Sequence, residues 1–126
     1  MLKKILVADD EEEIIELIKS AFEREGYLVL TATHGSSLEK IIKTKNPDLL
    51  VLDVMLPGVD GYSLALQLSQ DDATKNLPVI VMTAMPASKI LFDKIEQVKL
   101  FLTKPFEIDV LVNKANEIHK TQGANK

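Results

Sequence analysis

The chain contains the stretch Asp48-Leu49-Leu50-Val51-Leu52-Asp53, an uninterrupted apolar run between two acids. A run of this length without polar alternation is typical of a central parallel strand that is covered on both faces. Asn46-Pro47 stands just before it, and the residue before a proline disfavours helix. The stretch therefore predicts a buried strand that follows a helix, as in an α/β domain.

Outward from this strand, short apolar runs alternate with helical patterns. The predicted strands are residues 5–8, 27–32, 48–53, 79–82 and 100–103. The predicted helices are 10–25, a segment from Ser36 or Ser37 to before Asn46, a short helix ending at Ser69, Pro86 to about Glu96, and a last helix with Ile108, Leu111, Val112, Ala115 and Ile118 on one face. This alternation predicts a flavodoxin-like, doubly wound, five-stranded parallel sheet of order 2-1-3-4-5 with five helices.

Composition narrows the class of protein. The chain has 126 residues, of which 46% are hydrophobic, and it has no cysteine, which excludes disulfides, thiolate metal sites and thiol nucleophiles. The formal net charge of −4 disfavours direct binding to nucleic acid, and no apolar stretch approaches the roughly 18 residues of a membrane span. We expect a cytoplasmic protein with one domain at 1–120 and a flexible tail at 121–126.

Reactive side chains follow four of the five predicted strands. Asp9 and Asp10 follow the first strand, Asp53 ends the third, Thr83 follows the fourth, and Lys104 follows the fifth. Ligands of open parallel sheets bind at the carboxyl ends of the strands, so these side chains are expected to converge. Two like charges about 4 Å apart cost roughly 4 kcal/mol at an effective dielectric near 20. The cluster therefore predicts a hard cation such as Mg2+, with Lys104 suited to a phosphate oxygen and Asp53 to nucleophilic attack.

Four motifs in this order resemble response-regulator receiver domains of two-component phosphorelays. They are Val7-Ala8-Asp9-Asp10-Glu11, Leu50-Val51-Leu52-Asp53-Val54-Met55-Leu56-Pro57-Gly58-Val59-Asp60-Gly61, Val81-Met82-Thr83-Ala84 and Phe101-Leu102-Thr103-Lys104-Pro105-Phe106. The resemblance implies a phosphoacceptor that catalyses only its own phosphoryl transfer and hydrolysis. It implies a histidine kinase or a histidine phosphotransfer protein as the donor, an unidentified downstream protein, and a monomer or weak phosphorylation-dependent homodimer.

The resemblance also implies a role for individual residues. Asp53 would be phosphorylated, and Asp10, Asp53 and the Met55 carbonyl would hold Mg2+, with Asp9 acting mainly through water. Lys104 would pair with the acceptor and its phosphate, and the Lys104-Pro105 bond would be cis. Thr83 and Phe101 would move together as the switch.

The chain departs from this family near its fourth helix, where the segment from Thr83 to Lys104 is short and Gln97-Val98 replaces a common Gly-Ala pair. Met55 and Met85 are expected to line the approach to the phosphate. His34 and His119 are expected to be solvated and without a role.

Other interpretations remain open. We expect a stand-alone receiver because nothing resembling an output domain follows Lys120, and a piece of a longer regulator or hybrid kinase is the alternative. A haloacid-dehalogenase-type phosphatase requires a second acid where Met55 stands. A flavodoxin-like cofactor binder is disfavoured by the acidic first turn, and a receiver used only for docking by the retained acids and lysine.

Overall fold

The computed structural model describes residues 3–124 of the chain. Its strands are β1 (Lys4–Ala8), β2 (Leu28–Ala32), β3 (Leu49–Asp53), β4 (Val79–Thr83) and β5 (Val98–Thr103). Neighbouring strands all pair in parallel, and the order across the sheet is β2-β1-β3-β4-β5. The predicted flavodoxin-like sheet is confirmed.

The described residues form five α-helices, which are α1 (Glu12–Arg24), α2 (Leu38–Lys45), α3 (Gly61–Gln70), α4 (Lys89–Phe92) and α5 (Ile108–Ala124). Short 3-10 turns, Gly35–Ser37 and Pro86–Ser88, precede α2 and α4. In α1 the buried isoleucines are Ile15 and Ile18, whereas Ile14 is half-buried.

Helices cover both faces of the sheet. Every residue of β3 and β4 is buried, as the uninterrupted apolar run predicts. One face packs on side chains of α2, α3 and α4, among them Leu38, Leu64 and Phe92. The other face packs on α1 and α5, through residues such as Phe22 and Leu111. This double covering leaves the carboxyl ends of the strands as the place where polar side chains can gather.

The fourth helix is shorter than predicted, because α4 ends at Phe92 rather than near Glu96. The buried Gln97 side chain donates from Nε2 to the carbonyls of Thr74 (3.1 Å) and Leu77 (2.7 Å). The Gln97 carbonyl accepts the Val79 N–H at 2.7 Å. These bonds fix the chain against the start of β4, so residues 93–97 turn instead of continuing the helix.

Two further expectations concern the C-terminal part. His119 was expected on the solvated surface, and this is wrong: it is only 9% exposed, and its Nδ1 lies 3.1 Å from the Tyr27 hydroxyl. Helix α5 continues through Ala124, so the backbone at 121–124 is helical. Residues 125 and 126 of the predicted tail lie outside the described residues, and the domain boundary at residue 120 stays a prediction.

Within residues 3–124, no helix is both long and apolar enough to cross a membrane.

Candidate functional site

The strand order brings four chain segments to one edge of the sheet. β1, β3, β4 and β5 are consecutive neighbours, and their carboxyl ends lead into Asp9, Asp53, Thr83 and Lys104. β2 lies at the margin and contributes no charged side chain at its end. The convergence follows from parallel topology alone, since all carboxyl ends of such a sheet lie on one side.

Lys104 is the electrostatic centre of this edge. Its Nζ lies 2.7 Å from Oδ2 of Asp9, 3.1 Å from Oδ2 of Asp53 and 3.1 Å from Oε1 of Glu11. The Lys104 side chain is 13% exposed, whereas those of Asp9 and Asp53 are 0% and 4% exposed. One ammonium therefore neutralises two buried carboxylates and reaches a third acid on the surface.

Burial and hydrogen bonding have opposite effects on the pKa values of Asp9 and Lys104. Burial raises the pKa of Asp9, and hydrogen bonds from Lys104 and from the Glu11 backbone only partly offset it. Burial acts to lower the pKa of Lys104, but hydrogen bonds to Asp9, Asp53 and Glu11 raise it well above its ordinary value. Lys104 therefore stays charged at physiological pH, whereas ionisation of Asp9 is less favourable in the folded protein than in the unfolded chain.

Strand-end turns orient the reactive side chains. The Glu11 N–H donates to Oδ1 of Asp9 at 2.8 Å, and the Met55 N–H donates to Oδ1 of Asp53 at 2.9 Å. The Met85 N–H donates to Oγ1 of Thr83 at 3.0 Å. Each bond joins a side chain to the backbone two residues later, which is the local turn that Asp and Thr favour. The sequence at each strand end thus fixes its own functional group.

A metal site is compatible with the same acids. One carboxylate oxygen from each of Asp9, Asp10, Glu11 and Asp53 lies within 4.8 Å of the others. Asp10 and Glu11 are exposed, and Asp9 and Asp53 are buried. Oxygen donors of this kind suit a hard divalent ion such as Mg2+. The sequence reading brought Asp9, Asp10 and Asp53 together correctly but did not include Glu11, whose only signal was its place directly after the acid pair.

The remaining predicted residues lie in or directly after β3, β4 and β5. Thr83 is fully buried, and its carbonyl accepts the Lys104 N–H at 2.8 Å. The Lys104–Pro105 peptide bond is cis. Phe101 is half-buried, with its ring centroid 6.0 Å from that of Phe92. The Met55 side chain is exposed, and its backbone N–H is the one that bonds to Asp53.

Comparison with known proteins agrees with this arrangement. The family model of the response regulator receiver domain matches residues 5–116. The chain belongs to the response regulator receiver family. Receiver domains of response regulators are phosphorylated by histidine kinases and are not enzymes in the usual sense. Met55 also disfavours the alternative of a haloacid-dehalogenase-type phosphatase, which would require a second acid at this position.

Individual relatives resemble the chain closely. It is 44% identical over 110 residues to the alkaline phosphatase synthesis transcriptional regulatory protein PhoP of Bacillus subtilis, a match that covers 84% of this chain and 44% of PhoP. The Francisella response regulator 1452 receiver domain is 35% identical with a TM-score of 0.84, covering 95% of this chain and 98% of that one. Response regulator TrrA of Thermotoga maritima, solved in complex with Mg(2+)-BeF, is 31% identical with a TM-score of 0.80, covering 93% and 99%.

The chain spans about half the length of the curated relatives it matches. The site lies within the shared part, because residues 5–116 include Asp9, Asp53, Thr83 and Lys104.

Proposed function

We propose that this receiver is a phosphoacceptor of a two-component phosphorelay, in which Asp53 takes a phosphoryl group in a Mg2+-dependent reaction. A histidine kinase or a histidine phosphotransfer protein is the donor, and the phosphorylated form binds its partner differently. The observation that carries the proposal is the position of the Lys104 ammonium between the buried carboxylates of Asp9 and Asp53. A cation in this position can follow negative charge from a carboxylate to a phosphate bound to it.

The transfer is a substitution at phosphorus. A carboxylate oxygen of Asp53 forms the new P–O bond while the P–N bond of the donor phosphohistidine breaks, and the imidazole leaves with the electron pair and gains a proton. The product is an acyl phosphate, and water attacking its phosphorus later restores the carboxylate. Little covalent help is needed, because phosphoryl transfer depends mostly on positioning and charge neutralisation.

The acid cluster, formed by Asp9, Asp10, Glu11 and Asp53, suits the Mg2+ ion that the proposal requires. Asp10, Asp53 and the Met55 carbonyl are the proposed ligands of Mg2+, with Asp9 acting through water, and Glu11 lies within reach of the same group. When bound, Mg2+ would neutralise the charge shared by the carboxylates and the phosphoryl oxygens. The relative TrrA, solved with Mg(2+)-BeF, supports this choice of ion.

Lys104, Thr83 and Phe101 supply the response. A phosphoryl group adds about −1.5 to −2 charges at neutral pH, so it competes with Asp9 and Glu11 for the Lys104 ammonium. The Thr83 Oγ1 accepts the Met85 N–H, which leaves its hydroxyl proton free to be donated to a phosphoryl oxygen. Phe101 is half-exposed, and we propose that it turns inward when Thr83 moves toward the phosphate.

The partners beyond the donor are proposed only by class. The downstream target is a protein, the chain itself makes no direct contact with nucleic acid, and it is a monomer or a weak dimer that phosphorylation favours. PhoP and PhoB are described as regulatory proteins of transcription, and the chain covers only about half of each. Whether a stand-alone receiver or part of a longer regulator, the chain would use the same phosphoacceptor chemistry.

Incubation with a small phosphodonor and Mg2+, followed by intact-mass measurement, tests the proposal. The wild type is expected to gain one phosphoryl group, and Asp53→Asn none. A chelator added before the donor is expected to abolish the gain. Absence of any gain in the wild type with Mg2+ present would remove the proposal.

A further inference from the structure

The loop after the acceptor strand is braced by a histidine that follows the edge strand β2. We infer that His34 is a positioning residue: its imidazole, packed over Gly58, holds the loop 54–60 in the geometry needed at the acceptor site. This inference rests on the proposed function, because the loop carries the Met55 carbonyl, a proposed Mg2+ ligand.

The contact between the two loops is close. A methyl group on Gly58 would lie only 1.9 Å from Cε1 of His34 and 2.4 Å from its Nδ1. Glycine is therefore required at this point to let the imidazole approach the backbone. Gly58 also has φ +87°, a backbone conformation that favours glycine.

His34 is exposed, as predicted, but hydrogen bonds to the neighbouring Ser36 hold its ring in place. Its Nδ1 accepts the Ser36 N–H at 3.1 Å and lies 2.9 Å from the Ser36 hydroxyl. His34 thereby caps the 3-10 turn Gly35–Ser37, a position where Ser, Thr, Asp and Asn are the usual residues. An Asn would make the same cap without a ring over Gly58, so the cap alone does not explain the imidazole.

A second contact joins the same loops. The Gly35 N–H donates to the Pro57 carbonyl at 2.8 Å. A methyl group on Gly35 would lie 2.3 Å from Cγ1 of Val59. His34 and Gly35, which follow β2, thus contact the loop 54–60 at three successive positions, Pro57, Gly58 and Val59.

The bracing matters because of what the loop carries. The Met55 N–H orients the Asp53 carboxylate through Oδ1, three residues before Gly58. Groups that hold metal ligands in place commonly affect metal affinity as strongly as some ligands do. Removing the His34 ring should therefore loosen Met55 without altering any charge of the acid cluster.

The test compares His34→Ala, which removes both the ring and the cap, with His34→Asn, which restores the cap only. Mg2+ affinity is measured by calorimetry on the whole chain, and amide hydrogen exchange by NMR on the metal-free protein. Both variants are expected to raise the Mg2+ dissociation constant by about tenfold and to speed exchange of the Met55 amide. Thr33→Ala, at the exposed neighbouring residue, serves as the control variant.

The Met85 amide is the internal control, because it bonds to Thr83 as the Met55 amide bonds to Asp53. Unchanged Mg2+ affinity and Met55 exchange in His34→Ala would overturn the inference. So would equal acceleration at Met55 and Met85, which indicates general loosening, and so would full recovery in His34→Asn, which assigns the effect to the cap. A wild type that does not bind Mg2+ would contradict the proposed function. Exchange of the Met55 amide in the metal-free protein tests separately whether His34 holds the loop 54–60 in place.

Discussion

The Nζ of Lys104 lies 3.1 Å from Oδ2 of Asp53 although 51 residues separate them in the chain. Asp53 ends β3 and Lys104 follows β5, and these strands are not neighbours, since β4 lies between them. The same ammonium also bonds to Asp9 at the end of β1. One side chain therefore links the ends of three strands, and it is the compensating charge of the acid cluster.

Replacing Lys104 with Gln should destabilise the metal-free protein, because two buried carboxylates lose their cation. We expect the free energy of unfolding in urea to fall by about 1–3 kcal/mol. Mg2+ should stabilise this variant more than it stabilises the wild type, since the ion replaces the missing charge. Lys99→Gln, at an exposed lysine of β5, the strand before Lys104, is the control. Equal stabilities of the two variants would contradict the electrostatic role of Lys104.

Replacing Asp9 with Asn should stabilise the metal-free protein. Burial raises the pKa of Asp9, so the folded state binds a proton more readily than the unfolded state and loses stability as pH rises above the ordinary carboxyl range. An uncharged amide avoids that cost, and we expect a gain of about 1 kcal/mol near neutral pH, with weaker Mg2+ binding. Thermal unfolding and calorimetry measure both effects. A variant less stable than the wild type would show that the bond to Lys104 outweighs burial.

Protonation of the buried His119 ring at acidic pH should destabilise the fold. Asn116 donates from Nδ2 to Glu25 at 2.9 Å, which directs its Oδ1 toward the Tyr27 hydroxyl. Tyr27 donates to that oxygen, so it accepts from His119, whose Nδ1 is 3.1 Å away. Among the described residues, His119 Nε2 has no hydrogen-bond partner. A second proton on this ring would therefore be buried, and Asp48 would compensate for it only in part.

Burial is the main reason that the pKa of His119 is lowered, and the nearby charge of Lys3 lowers it further, against the effect of Asp48. Because the folded state favours the neutral ring, its contribution to stability is present above about pH 6.5 and is lost as pH falls through the lower folded pKa. Urea unfolding at about pH 7.5 and about pH 5 should show a larger loss for the wild type than for His119→Gln. Equal losses would assign the acid sensitivity to other groups.

The phosphoryl group should be lost slowly, because Met85, whose N–H bonds to Thr83, has an apolar side chain that cannot orient an attacking water. Its side chain is 51% exposed and apolar. Met85→Asn is expected to shorten the lifetime of the phosphorylated protein by about tenfold. Met85→Leu, which stays apolar, is the control. A wild-type half-life of seconds that Met85→Asn leaves unchanged would argue against this account.

The sheet and the convergence at its edge could be predicted from the sequence, because both depend on patterns along the chain. The run 49–52 identified a strand buried on both faces, and the parallel order placed Asp9, Asp53 and Lys104 together. The charge balance among three acids and one lysine pointed to the same edge. These inferences needed residue type and strand order, and no side-chain geometry.

The features that could not be predicted depend on contacts between loops or helices distant in sequence. Nothing in the sequence indicates that Glu11 reaches Lys104 or that His34 covers Gly58. His119 is buried beside Tyr27, which lies 92 positions earlier in the chain, between α1 and β2. The early end of α4 depends on backbone carbonyls bound by Gln97, and periodicity does not report such bonds.

Chemical trapping of the phosphorylated residue tests the central claim most directly. The wild type is treated with phosphodonor and Mg2+, then with borohydride, which reduces an aspartyl phosphate to homoserine, and is mapped by peptide mass spectrometry. We predict homoserine at position 53 and at no other aspartate, with none formed when Mg2+ is withheld. A phosphoryl group that maps to another residue, or a wild type that accepts none, would contradict the assignment of Asp53 as the acceptor.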